Sequence, residues 1–243
     1  LKSKVEVFSW PPTLFPKDLT IEGYRYSLIH ANVPTYLLNS TIYSLSISLI
    51  VLAVGLITIY GLTFYPFPGS NKVLIMFFLT RILPPQAMWL PFIIFFSRLG
   101  MSGRPITIII YEIVLVYPMA IWMFKNIFES FPQEIIESAI IDGCSRFKAL
   151  YRVVIPIVAP SVAAIGIISF LWSWNELMFP YLVLQSEDLW PITVGVMGFL
   201  GEEGFMWNAL AATQILAITP GVIFFIFAQK YIVKGLVAGS VKG

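Results

Sequence analysis

The 243-residue chain is 58% hydrophobic and only 12% charged, with a formal net charge of +2 and a mean hydropathy of +0.85. A soluble domain of this size carries about 25% charged residues, so much of this surface faces lipid rather than water. The small net charge, with no basic run, excludes a nucleic-acid partner, and the single cysteine, Cys144, excludes an internal disulfide.

Residues 1–36 are polar, aromatic and proline-bearing (Pro11, Pro12, Pro16). They are too polar to span and read as an extracytoplasmic segment with short helices. The chain opens Leu-Lys rather than Met and shows no signal peptide, so a segment ahead of Leu1 is expected. Beyond it, long stretches lack Asp, Glu, Lys and Arg: Ala31–Asn71, Ile82–Ser97, Ile113–Phe124, Val153–Asn175 and Gly204–Gln229. About 20 apolar residues in a helix cross a ~30 Å hydrocarbon core with every backbone hydrogen bond met internally. Five spans are therefore predicted: Leu37–Phe64, Val73–Ser97, Pro105–Ile127, Pro156–Leu184 and Trp207–Val233. The fold class is an all-α, polytopic transmembrane helical bundle spanning residues 37–233. Tyr65–Lys72 and Arg98–Arg104 are predicted as tight turns, and 186–206 as an acidic, glycine-rich external loop.

Orientation follows from Lys and Arg, which favour cytoplasmic loops. One side carries Lys72, Lys125, Arg146, Lys148, Arg152, Lys230, Lys234 and Lys242; the other carries Lys2, Lys4, Lys17, Arg25, Arg98 and Arg104. The bias puts the 129–155 loop and the 234–243 tail on the cytoplasmic side of the membrane.

The 129–155 loop holds the most informative pattern. Apolar residues recur at Ile136, Ala139, Ile140, Gly143, Phe147, Leu150, Tyr151 and Val154, one stripe of an amphipathic helix. Pro132 opens it, with Glu134 in the positive first turn, and Asp142-Gly143 bends it into two short helices. Such a pair docks into a groove on a soluble protein or lies on lipid headgroups. Its first half is poor in basic residues, which favours the protein partner.

Glu137-Ser138-Ala139, then Asp142-Gly143, then Ile155-Pro156, resembles the EAA motif of ABC-importer permeases. Ser138 stands where an alanine is usual and Ile155 where a leucine is. "LLNSTIYSL", "SWNELMFPYLVL" and "QKYIVKGLVAGSVKG" extend the resemblance to the carbohydrate, maltose-type (MalG-like) branch along nearly the whole chain. The resemblance implies the type I ABC-importer fold, with a sixth span ahead of Leu1, and import of a mono- or disaccharide. It implies a coupling helix seated on an ATPase subunit through Glu134, Glu137, Ser138, Ala139, Asp142, Gly143, Ile155 and Pro156. It also implies a MalF-like second permease, two ATP-binding subunits that hold ATP and Mg, and an external substrate-binding protein. That protein would meet Gly198, Phe199, Leu200, Gly201, Glu202 and Glu203. The glycine-rich tail would touch the ATPase dimer.

No Walker A pattern, metal-ligand cluster or nucleophile–base pair occurs, so no catalysis, cofactor or metal is expected on this chain itself. His30, alone in the polar opening segment, reads as a surface residue. Polar groups at membrane depth are functional candidates: Arg81, Glu112, Asn175 and Glu176, with Trp172, Trp174 and Phe179 as rings for sugar stacking. Arg81 and Glu112 pair with each other, bond sugar hydroxyls, or act as interhelical glue. A permease for another small solute remains an alternative. An ion-coupled secondary transporter predicts inverted repeats, and none is evident.

Overall fold

The computed structural model describes residues 1–200 and 206–240, and these are helical with no strand among them. Two short pieces, a single turn at Glu6–Phe8 and α1 (Glu22–Ile29), precede the bundle. Glu6 organises the opening segment: its carboxylate accepts the Lys17 amide at 2.8 Å and the Thr13 hydroxyl at 3.1 Å. The Lys17 amide, first among these, holds the Glu6 carboxyl below its usual range.

The centre of the bundle is α2 (Val33–Phe64). Pro34 suits its first turn, and the Pro66 and Pro68 that follow Tyr65 prevent continuation. Ser40, Ser44 and Ser48 recur four residues apart and are all buried, a small-residue face that lets helices approach closely. Ser48 donates to the Gly166 carbonyl at 2.7 Å. A Cβ on Gly166 would come within 2.7 Å of Leu52 Cδ1, so a larger residue there would push the Leu52 side chain aside where α2 meets α8 (Ile155–Trp174).

The predicted second span is broken. α3 (Ser70–Thr80) and α4 (Pro85–Arg98) meet at 99°. Pro84 is extended and cannot continue the ladder, and Pro85 starts a new helix. All ten residues from Phe78 to Ala87 are exposed. The expected tight turn 65–72 is also shorter, since α3 begins at Ser70.

α5 (Pro105–Glu129) is followed by α6 (Gln133–Ile141) and α7 (Arg146–Ala149). The fourth span differs from its prediction at both ends. The helix is continuous from Arg146 to Trp174, through a wide turn at Leu150–Val154. Pro156 lacks an N–H for the preceding turn, and a wider turn carries the helix past it. At the far end the Asn175 side chain and its own amide both bond the Leu171 carbonyl, at 2.6 and 3.2 Å, and stop the helix. A separate α9 (Met178–Val183) follows. The expected external loop holds α10 (Ile192–Met197), and α11 (Trp207–Ser240) closes the bundle.

Val33–Phe64, Pro105–Glu129, Arg146–Trp174 and Trp207–Ile226 are each long and apolar enough to cross a membrane, and the bent α3–α4 pair is so only when its two helices are taken together.

Candidate functional site: an exposed helical knob and a polar cluster inside the bundle

α6 is held at one end of the bundle by its inner face. Ile136 and Ala139 are buried, while Glu134, Glu137, Ser138 and Asp142 face outward. Gln133 donates to Glu137 at 2.8 Å, and the Ser138 hydroxyl to the Glu134 carbonyl at 2.8 Å. The helix ends in a double turn: the Cys144 amide bonds the Ala139 carbonyl at 3.0 Å and the Gly143 amide that of Ile140 at 3.0 Å. Gly143 has φ +88°, a conformation that side-chain-bearing residues rarely adopt. Nothing lies within 4 Å of where its Cβ would be. Ser145 then caps α7 by accepting the Lys148 amide.

The single stripe read from the sequence does not hold. Leu150 and Val154 are buried with Ile136 and Ala139, but Ile140, Phe147 (65% exposed) and Tyr151 (70%) face out, as does Ile141 (85%). The turn at Gly143 rotates the second helix relative to the first, so one set of residues packs and the other is displayed. Tyr60 and Tyr65, which sequence reading missed, pin the knob. The Tyr60 hydroxyl donates to the Arg146 carbonyl at 3.0 Å, and the Arg146 guanidinium lies 4.2 Å from the Tyr65 ring centre. No pattern in the sequence marks that pairing, since it joins residues 86 apart. Ile155 is half-buried and Pro156 exposed where the knob enters α8.

The membrane-depth candidates come only partly together. Arg81 does not pair with Glu112. Its guanidinium lies 5.3 Å from the Trp172 ring centre and bonds the Leu115 carbonyl at 3.4 Å. That carbonyl lies one residue past the one deprived of its helical donor by Pro118. Arg81 thus sits on the exposed elbow while Glu112 is buried at 3% exposure. Glu176 accepts the Phe179 amide at 3.1 Å and receives Thr193 on its own carbonyl at 2.7 Å. Trp174 and Phe179 are not free to stack on a sugar. Trp174 donates to the Ala217 carbonyl at 3.1 Å, and Phe179 stacks on Tyr111 at 3.6 Å. Trp172 is exposed. Asn175 lines a cavity of about 310 Å³ with Trp174, Thr193 and Phe225, between α8, α10 and α11.

At the opposite end, the loop after α9 is tied to α2. Asn39 donates to the Asp188 and Trp190 carbonyls at 2.8 and 3.0 Å, Tyr43 to Leu189 at 2.9 Å, and Ser40 accepts the Ile192 amide at 2.8 Å. Phe199 is buried near Tyr26. Gly198 and Leu200 lie in the short turn beside it. Gly201, Glu202 and Glu203 lie outside the described residues, as does the end of the tail.

Comparison with known proteins bears on the family and the fold. Residues 53–237 match the family described as "Binding-protein-dependent transport system inner membrane component". The arabinooligosaccharides transport system permease protein AraQ of Halalkalibacterium halodurans is 30% identical, over 94% of this chain and 81% of that protein. The diacetylchitobiose uptake system permease protein DasC of Streptomyces coelicolor is 26% identical, over 98% of this chain and 86% of that protein. A chain of a bacterial ABC transporter that imports the acidic polysaccharide alginate superposes with a TM-score of 0.79 at 21% identity, over 89% of this chain and 81% of that one. With the family match covering most of its length and its helices crossing a membrane several times, this chain belongs to the inner membrane components of binding-protein-dependent transport systems, the permeases of ABC importers.

Proposed function

We propose that this chain is the permease subunit through which a small saccharide crosses the membrane, driven by ATP hydrolysis on separate subunits. The knob built by α6, Gly143 and α7 carries the reading. Ile141, Phe147 and Tyr151 hold apolar surface out beside an acidic helix start, and such surface marks a docking site. In this reading Glu134, Glu137, Ser138, Ala139, Asp142 and Gly143 form the coupling helix, and Ile155-Pro156 joins it rigidly to α8. The solute class rests on the saccharides named for AraQ and DasC.

The knob end and the C-terminus are then cytoplasmic. A second, MalF-like permease completes the pathway, two ATPase subunits hold ATP and Mg, and a binding protein delivers solute at the α10 end. Backbone that leaves helical geometry at membrane depth is tolerated where it is buried in protein or lines a water-filled route. That supports assigning the Arg81 elbow, with Trp172, Asn175 and Glu176, to the pathway. ATP closes the ATPase pair, the knobs follow, and the permeases rock between outward- and inward-facing states.

Replacing Gly143 by Trp together with Glu137 by Lys in the reconstituted importer should abolish saccharide uptake while the ATPase subunits still hydrolyse ATP. Uptake at the wild-type rate in that double variant would overturn the coupling assignment.

A further inference from the structure

Two polar atoms inside the bundle have no hydrogen-bond partner among the described residues: Glu112 Oε2 on α5 and Ser173 Oγ on α8. Both residues are buried, at 3% and 6% exposure. They are neighbours: the Ser173 hydroxyl lies close enough to the Glu112 carboxyl to interact with it, short of a well-formed hydrogen bond. The neighbouring carboxylate, Glu176, is committed to the Phe179 amide.

Buried polar groups are almost always bonded, and an orphan calls for a reason. Interhelical glue at full strength would require a well-formed bond between the two side chains, which they do not make. The bundle would hold more tightly with an apolar side chain at either position, since an unsatisfied buried group costs more than its removal. The packing of α5 beside Glu112 is also of an unusual kind. Tyr111, adjacent to Glu112, is stacked on Phe179. Phe179 belongs to the six-residue α9, which is separated from α8 by the stop at Asn175. Next to Glu112 along the chain, α5 therefore meets a short independent helix through a ring stack, rather than a continuous span.

We propose that Glu112 and Ser173 are a concealed solute-contact pair, dry in this conformation and presented to the hydroxyls of a polyhydroxylated solute when α5, α8 and α9 part. The proposal rests on the permease reading above and adds the site at which the pathway recognises its solute. The pair binds only in the parted state, so solute favours that state through this differential contact.

The test uses the complete importer in liposomes with labelled maltose, trehalose and arabinotriose, carrying forward whichever the wild type takes up fastest. Glu112→Leu should raise the thermal midpoint of the complex and raise the KM for uptake about tenfold. Ser173→Ala should do the same to a smaller extent, and Glu112→Gln, which keeps the shape and hydrogen-bonding capacity, should shift KM only about threefold. A higher midpoint with unchanged KM in Glu112→Leu would overturn the proposal, leaving the pair an unsatisfied remnant. A lower midpoint with parallel loss of uptake would overturn it in favour of a structural role. Wild-type complex that takes up none of the three sugars would bring down the saccharide reading itself, and the pair's role with it.

Discussion

The two ends of the bundle are built on opposite principles. At the knob end, apolar side chains stand in the open and the pivotal glycine has empty space beside it. At the α10 end, Asn39, Ser40 and Tyr43 tie the connecting loop to α2, and Ser27 and Thr213 join α1 to α11, with the Thr213 hydroxyl 2.8 Å from that of Ser27. Gly195 shows the contrast most directly. A Cβ there would overlap the Tyr36 ring, whereas Gly143 is glycine because of its φ of +88°. At the α10 end polar side chains tie the chain to itself, while at the knob end Ile141, Phe147 and Tyr151 stay uncovered.

That contrast can be broken by substitution. Gly195→Leu should cost about 3 kcal/mol of stability by overpacking against Tyr36, measured by denaturant unfolding of the purified permease in detergent. A neutral result would mean that the α10 end is not closely packed. Ile141→Asp and Phe147→Asp should each weaken association with the ATPase subunit about tenfold, or ~1.4 kcal/mol. The unfolding midpoint of the isolated permease should stay where it is, because neither side chain is buried within it. A large loss of permease stability would show that these residues pack internally. Glu129→Gln removes the 2.5 Å ion pair with Lys125 on the knob side. An i,i+4 pair on a helix surface is worth roughly 0.3–0.5 kcal/mol, so unfolding in low and high salt should differ from wild type by no more than that. A larger effect would make the knob end self-stabilised as well.

Much of this was readable from residues alone, and the misses have physical reasons. Asp142-Gly143 announces the turn because its backbone demand is local. Pro84-Pro85 marks the elbow for the same reason, though not its 99° bend, which depends on how α3 and α4 pack on α5. The stripe from Ile136 to Val154 was expected to keep one face across the break near Gly143, and the turn there rotates the second helix out of that phase. The Arg81–Glu112 pairing was a reasonable expectation from charge, but the elbow carries Arg81 to Trp172 instead. Ser173 could not have been singled out, since a serine in an apolar run usually bonds its own helix, as Ser169 does to Ile165 at 2.9 Å.

The order of apolar runs, prolines and glycines by itself determined that this is a polytopic helical membrane protein, and that a charged stretch with a turn at Asp142-Gly143 lies between its third and fourth apolar runs. Those properties depend on backbone hydrogen bonding and on transfer from water to lipid, which neighbouring residues settle among themselves. Only the tertiary structure decided which polar groups found partners, which rings were already engaged, and which apolar residues remained on display. In a bilayer an apolar side chain is equally stable against lipid or against another helix, so its direction is set by packing between segments far apart in the chain.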